Sequence, residues 1–244
     1  DMYSCITNYT FGDDQAGNFK AEGDKYNREH SFPKSWWGGS SGIPAYTDLF
    51  HLYPTDGYVN GMRGNLPFGE VKSVTKQSKV GPCGVSGYSG TVFEPADEYK
   101  GDFARTYFYM ATAYESSFAA WAESEGGIML AGNAWPGFKA WALHMLLQWA
   151  EDDPVSDKER DRNEAVYGIQ HNRNPYIDYP ELAEYIWGNK KGIAVKCSEL
   201  TGEVTSVPAT IAPAGTSTVR KIIRNGQVLI ERNGVVYSII GMAL

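Results

Sequence analysis

The stretch Tyr26-Asn27-Arg28-Glu29-His30-Ser31-Phe32-Pro33-Lys34 concentrates side chains suited to chemistry. An acid beside a histidine, with a basic residue before them and a proline soon after, suits metal-assisted attack on phosphate. A neutral imidazole near pH 7 takes a proton from water, a carboxylate holds a hard cation, and an arginine grips phosphate oxygens. A surface carboxylate beside a structural histidine would look the same, so the reading depends on residues further along the chain.

Two such blocks are Asp48-Leu49-Phe50-His51-Leu52-Tyr53-Pro54 and Asn60-Gly61-Met62-Arg63-Gly64-Asn65-Leu66-Pro67-Phe68-Gly69. Asn60 and Arg63 are three apart and share one face of a helix, with Asn65 close by. Asparagine supplies a neutral carbonyl oxygen of the kind Mg²⁺ or Ca²⁺ accepts. Together with Gly101–Met110 and Asn172-Arg173-Asn174-Pro175, these blocks resemble, in order, the endonuclease I family. Its members are secreted or periplasmic non-specific nucleases of the His-Me finger (ββα-metal) class. The resemblance runs from about Tyr26 to about Gly188.

The resemblance implies an α+β fold, with a His-Me finger nuclease domain and a helical C-terminal half. It implies hydrolysis of phosphodiester bonds in DNA, with RNA as a second substrate, and little sequence preference. His30 matches the general base. Glu29 and Asn65 match the positions that hold one Mg²⁺, for which Ca²⁺ or Mn²⁺ can substitute. Asn60 is the second-choice amide, its competing role being a helix N-cap. Arg63, Arg105 and Arg28 are candidate phosphate clamps because guanidinium pairs with two oxygens at once. Arg63 and Arg105 are also expected in the catalytic set, and Lys34 among substrate contacts, although Arg105 is equally placed to tie its helix to the core. The Asn172 loop is expected to brace the site, with direct phosphate contact by Arg173 secondary. Members often have a histidine where Phe50 stands, so that histidine's role does not carry over. His51 and His144 are expected to be structural, and His171 is assigned nothing.

Composition sets the frame. At 244 residues, 42% hydrophobic and 21% charged, the chain describes a globular protein with one substantial core plus an appendage. No apolar run approaches the roughly eighteen residues of a membrane span. No signal peptide opens the chain at Asp1-Met2-Tyr3-Ser4, so a leader is expected to have been removed or never cloned, and the location expected is secreted, periplasmic or cell-surface. Cys5, Cys83 and Cys197 make neither a zinc pattern nor a dense disulfide framework, leaving one bridge with a spare thiol or three thiols. The net charge of −7 argues mildly against a protein that coats nucleic acid. Residues 61–80 nevertheless carry Arg63, Lys72, Lys76 and Lys79 against Glu70, a local basic patch beside the candidate site.

Residues 1–25 are polar without strong periodicity, and 26–100 read as loops, short strands and helical turns. Asp102 stands where an N-cap would for a helix over 103–122, and 137–150 shows amphipathic helical spacing. Ser156 with Glu159 is a candidate capping box for a helix to about His171, and Asp178 with Glu181 repeats the device for a helix ending at Gly188. The domains expected are 1–198, a linker over 199–217, and 218–244, where two Asn-Gly pairs separate three β-prone runs of a small meander. That end resembles the sorting tails of exported proteins in Bacteroidetes-type bacteria, a β-appendage being the alternative. No obligate protein partner is implied.

Two other functions fit the composition. Seven tryptophans and sixteen tyrosines could line a sugar cleft, with Glu29 and Asp56 as an acid/base pair in a carbohydrate-active or glycan-binding protein. A non-catalytic surface module that had lost its metal site is the other, against which Glu29, His30 and Asn65 stand intact.

Overall fold

The computed structural model describes residues 1–4, 8–15, 17–196, 200, 219–224, 227–232 and 235–238. Cys5, Cys197, most of the expected linker and both Asn-Gly pairs lie outside the described residues. Cys83 is a buried free thiol. Contacts divide the chain into two units, Asp1–Glu203 and Val204–Leu244.

The first unit is α+β. Strand β1 (Tyr26–His30) pairs antiparallel with β2 (Leu52–Asp56), Glu29 lying opposite Tyr53 and His30 opposite Leu52. Asp56 ends β2 and also caps helix α1 (Gly57–Arg63), its side chain accepting from the Val59 N–H at 2.9 Å. One residue thus turns strand into helix. A Cβ on Gly57 would meet the Phe19 ring at 2.6 Å, so any larger residue where α1 begins would have to displace that ring. Strands β3 (Val71–Gln77), β4 (Pro82–Ser86) and β5 (Thr91–Phe93) form a second antiparallel sheet with β3 at its edge.

Helix α2 (Lys100–Ala113) is buried from Gly101 to Ala111, as a helix at the centre of a domain must be. Phe103, Tyr107 and Phe108 contact aromatic rings from several directions, Phe68 at 4.5 Å from Phe103 and Trp187 at 5.0 Å from Phe108. Asp102 is not the N-cap expected of it. A 3-10 turn at Asp97–Tyr99 feeds directly into α2, leaving Asp102 buried in the first turn and paired with Lys158 at 3.0 Å. The helix also stops short of 122. Tyr114 leaves helical geometry, its hydroxyl donating to Asp48 at 2.7 Å, and the chain resumes as α3 (Phe118–Trp121).

Helix α4 (Ala140–Asp152) packs on α2 through Ala142, Met145, Leu146 and Trp149. His144 is exposed on α4 rather than built into the core. The capping box of α5 (Asp157–Gln170) forms as expected, with Ser156 and Glu159 each satisfying the other's backbone N–H. The second expected box does not form. Asp178 ends α6 (Pro175–Asp178) with its carboxylate taken by Arg173 and Asn163, so α7 (Leu182–Ile186) starts uncapped. Trp36, Trp121, Trp149 and Trp187 are buried, whereas Trp135 is exposed.

The second unit contains strands β6 (Val219–Arg224), β7 (Gln227–Arg232) and β8 (Val235–Ser238), consecutive and antiparallel. Arg224 pairs with Gln227 in the β6–β7 register and Arg232 with Val235 in the β7–β8 register.

Candidate active site

Helix α1 lies against the β1–β2 ribbon, and most of the residues expected to do chemistry collect where they meet. A pocket of about 290 Å³ is lined by Arg28, Glu29, His30, Lys34, Asn60 and Asn65. Arg28 and Lys34 are exposed at its rim, while Glu29 and His30 are buried.

His30 is held in a defined state. Its Nε2 lies 2.9 Å from the Tyr46 carbonyl oxygen. A carbonyl only accepts, so Nε2 carries the proton and Nδ1 keeps its lone pair. Burial pushes the His30 pKa below the ordinary histidine value, and Lys34 and Arg28 act in the same direction against the Tyr46 hydrogen bond. The ring is therefore a neutral acceptor at pH 7. The adjacent carbonyl, that of Ala45, takes Nε2 of His51 at 2.6 Å, so one turn anchors both imidazoles, whose centroids are 5.4 Å apart. His51 is fully buried and shifted down to about 4, chiefly by burial, with no partner on Nδ1. It is a neutral structural ring.

Glu29 is fixed through one oxygen. Its Oε1 accepts from the Tyr3 hydroxyl at 2.6 Å and from Arg63 Nη1 at 2.5 Å. Burial raises the Glu29 pKa, and Arg63 and Tyr3 oppose that rise. Arg63 is not the phosphate clamp expected. Its guanidinium is buried and consumed inside the fold, donating also to Leu66 O at 2.9 Å and Ser31 O at 2.8 Å. It acts on the site by holding Glu29 and the end of β1.

Asn60 sits within α1, not at its N-cap, because Asp56 fills that place. Its Nδ2 donates to Asn27 Oδ1 on β1 at 2.7 Å, which leaves the Asn60 carbonyl oxygen oriented and available. Asn65 is exposed beyond Gly64, a residue whose φ of +57° ends α1 and favours glycine.

Arg105 takes the second of its two expected roles, tying its helix to the core, and not that of a phosphate clamp. It is buried on α2 and forked onto Glu159, Nε to Oε1 at 2.6 Å and Nη2 to Oε2 at 2.7 Å, with Nη1 on Asp153 O. It ties α2 to the start of α5 and does not line the pocket. Arg173 is likewise committed, to Asp178 and Glu164. The loop around it braces the site indirectly. Asn172 donates to the Tyr109 hydroxyl, which donates to Asp48, the cap of the turn carrying His51. Asp56, offered as half of a glycosidic acid/base pair, is fully buried. It accepts from the Tyr9 hydroxyl, Gly23 N–H and Val59 N–H, so it is a structural hub.

Sequence reasoning missed Tyr3, Asn27 and the carbonyl of Tyr46. Tyr3 stands in a segment read as polar and aperiodic, yet it is buried against Phe93 and Phe103. A backbone carbonyl has no signature at all.

Among the described residues no group of three or more His, Cys, Asp or Glu side chains could hold a metal ion. The donors at hand are one carboxylate and neutral amide oxygens in an open pocket. They fit a hard cation that keeps most of its water, and they do not fit zinc.

An open pocket with a cationic rim and a fixed proton acceptor suits a hydrolase acting on a polyanion. Ancestry agrees with the chemistry. The profile of the family described as Endonuclease I matches residues 1–181, and the chain belongs to that family. The match includes the N-terminal segment that supplies Tyr3. Over 167 residues the chain is 41% identical to an extracellular ribonuclease of Bacillus subtilis, covering 66% of this chain and 54% of that protein. The extracellular ribonuclease of Bacillus amyloliquefaciens is 39% identical over 165 residues, with coverage of 66% and 54%. A periplasmic deoxyribonuclease of Aeromonas hydrophila is 29% identical over 133 residues, covering 54% of this chain and 47% of that protein. The chain thus spans about half the length of these relatives. No helix among the described residues is long and apolar enough to cross a membrane.

Proposed function

We propose that the protein is a secreted or periplasmic, Mg²⁺-dependent endonuclease of the His-Me finger type that hydrolyses phosphodiester bonds with little sequence preference. The observation that carries this reading is the lone pair of His30 Nδ1, fixed by the Tyr46 carbonyl beside the buried Glu29 carboxylate in one cation-rimmed pocket. His30 accepts a proton from water as that water attacks phosphorus. Glu29 and an amide oxygen hold the cation. Asn60, oriented by Asn27, is the better placed amide and Asn65 the second, the reverse of the order expected from sequence. A cation held there, Mg²⁺ or in its place Ca²⁺ or Mn²⁺, would supply positive charge to offset the negative charge developing on the phosphate. Arg28 and Lys34 steer and grip the substrate backbone from the rim. The relatives named ribonucleases make RNA a substrate to test alongside DNA.

The test is plasmid nicking and RNA cleavage with Mg²⁺, with EDTA, and with His30→Ala. EDTA abolishes cleavage, and His30→Ala lowers the rate by about a hundred- to ten-thousand-fold, the usual worth of a positioned base. A variant that cuts as fast as the parent rules the mechanism out.

A further inference from the structure

Helix α1 carries an amide of the candidate cation site, yet little in its own sequence holds it in place. It is seven residues long, and Gly57 and Gly61 are both poor helix formers. Packing must therefore fix it. Val59 and Arg63 are buried and secure one side. Gly57, Asn60 and Gly61 stand at spacings of three and four, so they share another face. Asn60 and Gly61 line the His30 pocket. On the same face lies the Phe19 ring, so close that a Cβ on Gly57 would meet it at 2.6 Å and one on Gly61 at 3.8 Å. Phe19 is delivered by a strap over residues 17–25 that is tied at several points. Asp24 closes its turn by accepting from the Lys20 and Ala21 N–H groups at 2.8 and 2.9 Å. Gly23 N–H donates to Asp56 Oδ2 at 2.7 Å, and Gly57 N–H donates to Lys25 O at 2.8 Å. Glu22 accepts from the Ser4 hydroxyl at 2.8 Å and the Lys79 N–H at 2.7 Å.

We propose that Phe19 is a positioning residue for the cation site: its ring, laid across Gly57 and Gly61, fixes α1 and with it the Asn60 carbonyl oxygen that shares a pocket with Glu29. The proposal rests on the reading in which Asn60 and Glu29 hold the cation. Phe19 does not line the pocket itself and acts through the helix. A ligand set holds its ion only while each oxygen stays within about 0.5 Å of its place, so freedom gained by α1 appears as lost affinity.

The experiment applies Mn²⁺ titration calorimetry and urea unfolding to the parent, Phe19→Ala, Phe19→Tyr, Gly57→Ala, Asn60→Ala and Val166→Ala. Phe19→Ala weakens Mn²⁺ binding about tenfold, as loss of an outer support does. Phe19→Tyr keeps the ring and retains the parental affinity. Gly57→Ala, whose methyl needs the place of the ring, also weakens binding while leaving the strap's own groups intact. Val166 is buried on α5, remote in sequence from the strap and α1, and serves as the structural control. Val166→Ala lowers the urea midpoint and leaves Mn²⁺ affinity unchanged. Parental affinity in Phe19→Ala or in Gly57→Ala, or an equal loss in Val166→Ala, overturns the proposal. If Asn60→Ala alone weakens binding, the cation reading stands without Phe19. A parent that binds no Mn²⁺ overturns both.

Discussion

Replacing Arg63 with methionine keeps the length of the side chain and removes its charge and fork. The change strips one hydrogen bond from Glu29 Oε1 and orphans the Leu66 carbonyl, while Ser31 O keeps the Tyr107 hydroxyl at 2.9 Å. Glu29 is then a buried carboxylate left with the Tyr3 hydroxyl and the His30 backbone N–H. Breaking such a pair costs about 3–5 kcal/mol. Protonation offers an escape whose cost depends on pH. Placing a proton on a carboxyl costs about 1.4 kcal/mol for each pH unit above its ordinary value near 4.3, roughly 3.7 kcal/mol at pH 7 and about 1 kcal/mol at pH 5. Adding about 1 kcal/mol for Leu66 O, the penalty is about 4–5 kcal/mol at pH 7 and about 2 kcal/mol at pH 5. The sign comes from linkage. In the variant the folded pKa of Glu29 lies above its unfolded value, so stability is retained at low pH and lost as pH rises. Urea unfolding of parent and variant at both pH values gives the numbers. Glu29→Gln combined with Arg63→Met removes the pH dependence. A penalty under about 1 kcal/mol at pH 7, or one equal at both pH values, refutes the role assigned to Arg63.

The same geometry sets three other outcomes. Because burial holds His30 below the ordinary value, the acid limb of the kcat/KM profile centres below pH 6.5, and a limb above that value contradicts a buried neutral base. Asn60→Ala weakens Mn²⁺ binding, read by titration calorimetry, about tenfold or more and by more than Asn65→Ala does; the reverse order returns the ligand role to Asn65. Asp102 is raised to about 6, by burial first and then by Glu159, so it stabilises the fold while protonated and loses that contribution as pH rises from about 4 to 6. The stability of the parent relative to Asp102→Asn therefore falls across that window in denaturant titrations, and a flat difference removes the assignment.

The grouping of Glu29, His30, Asn60 and Asn65 around one pocket was legible because its signal is local. Glu29 and His30 are adjacent, and Asn60 and Asn65 lie together in one short block, so residue type and order suffice to bring them forward. The α5 capping box was legible for the same reason, both partners lying three residues apart. The start of α2 was not. Asp102 has the type of an N-cap, but it is packed under Lys158 and beside Glu159, which arrive from more than fifty residues away. Likewise Asp178 and Glu181 have capping-box spacing, yet Arg173 and Asn163 claim Asp178 first.

The arginines mark the boundary most clearly. Arg28, Arg63, Arg105 and Arg173 look equivalent as letters, since each carries the same fork. Burial and the nearest carboxylate separate them, Glu29 for Arg63, Glu159 for Arg105 and Asp178 for Arg173, leaving Arg28 at the rim. Sequence alone determined which kinds of group are available and that an acid and a base stand side by side. Tertiary structure decided which charges face water, which amide is oriented, and which imidazole nitrogen keeps its lone pair. Those properties are set by desolvation and by hydrogen bonds to backbone carbonyls, and both exist only once distant segments have packed together.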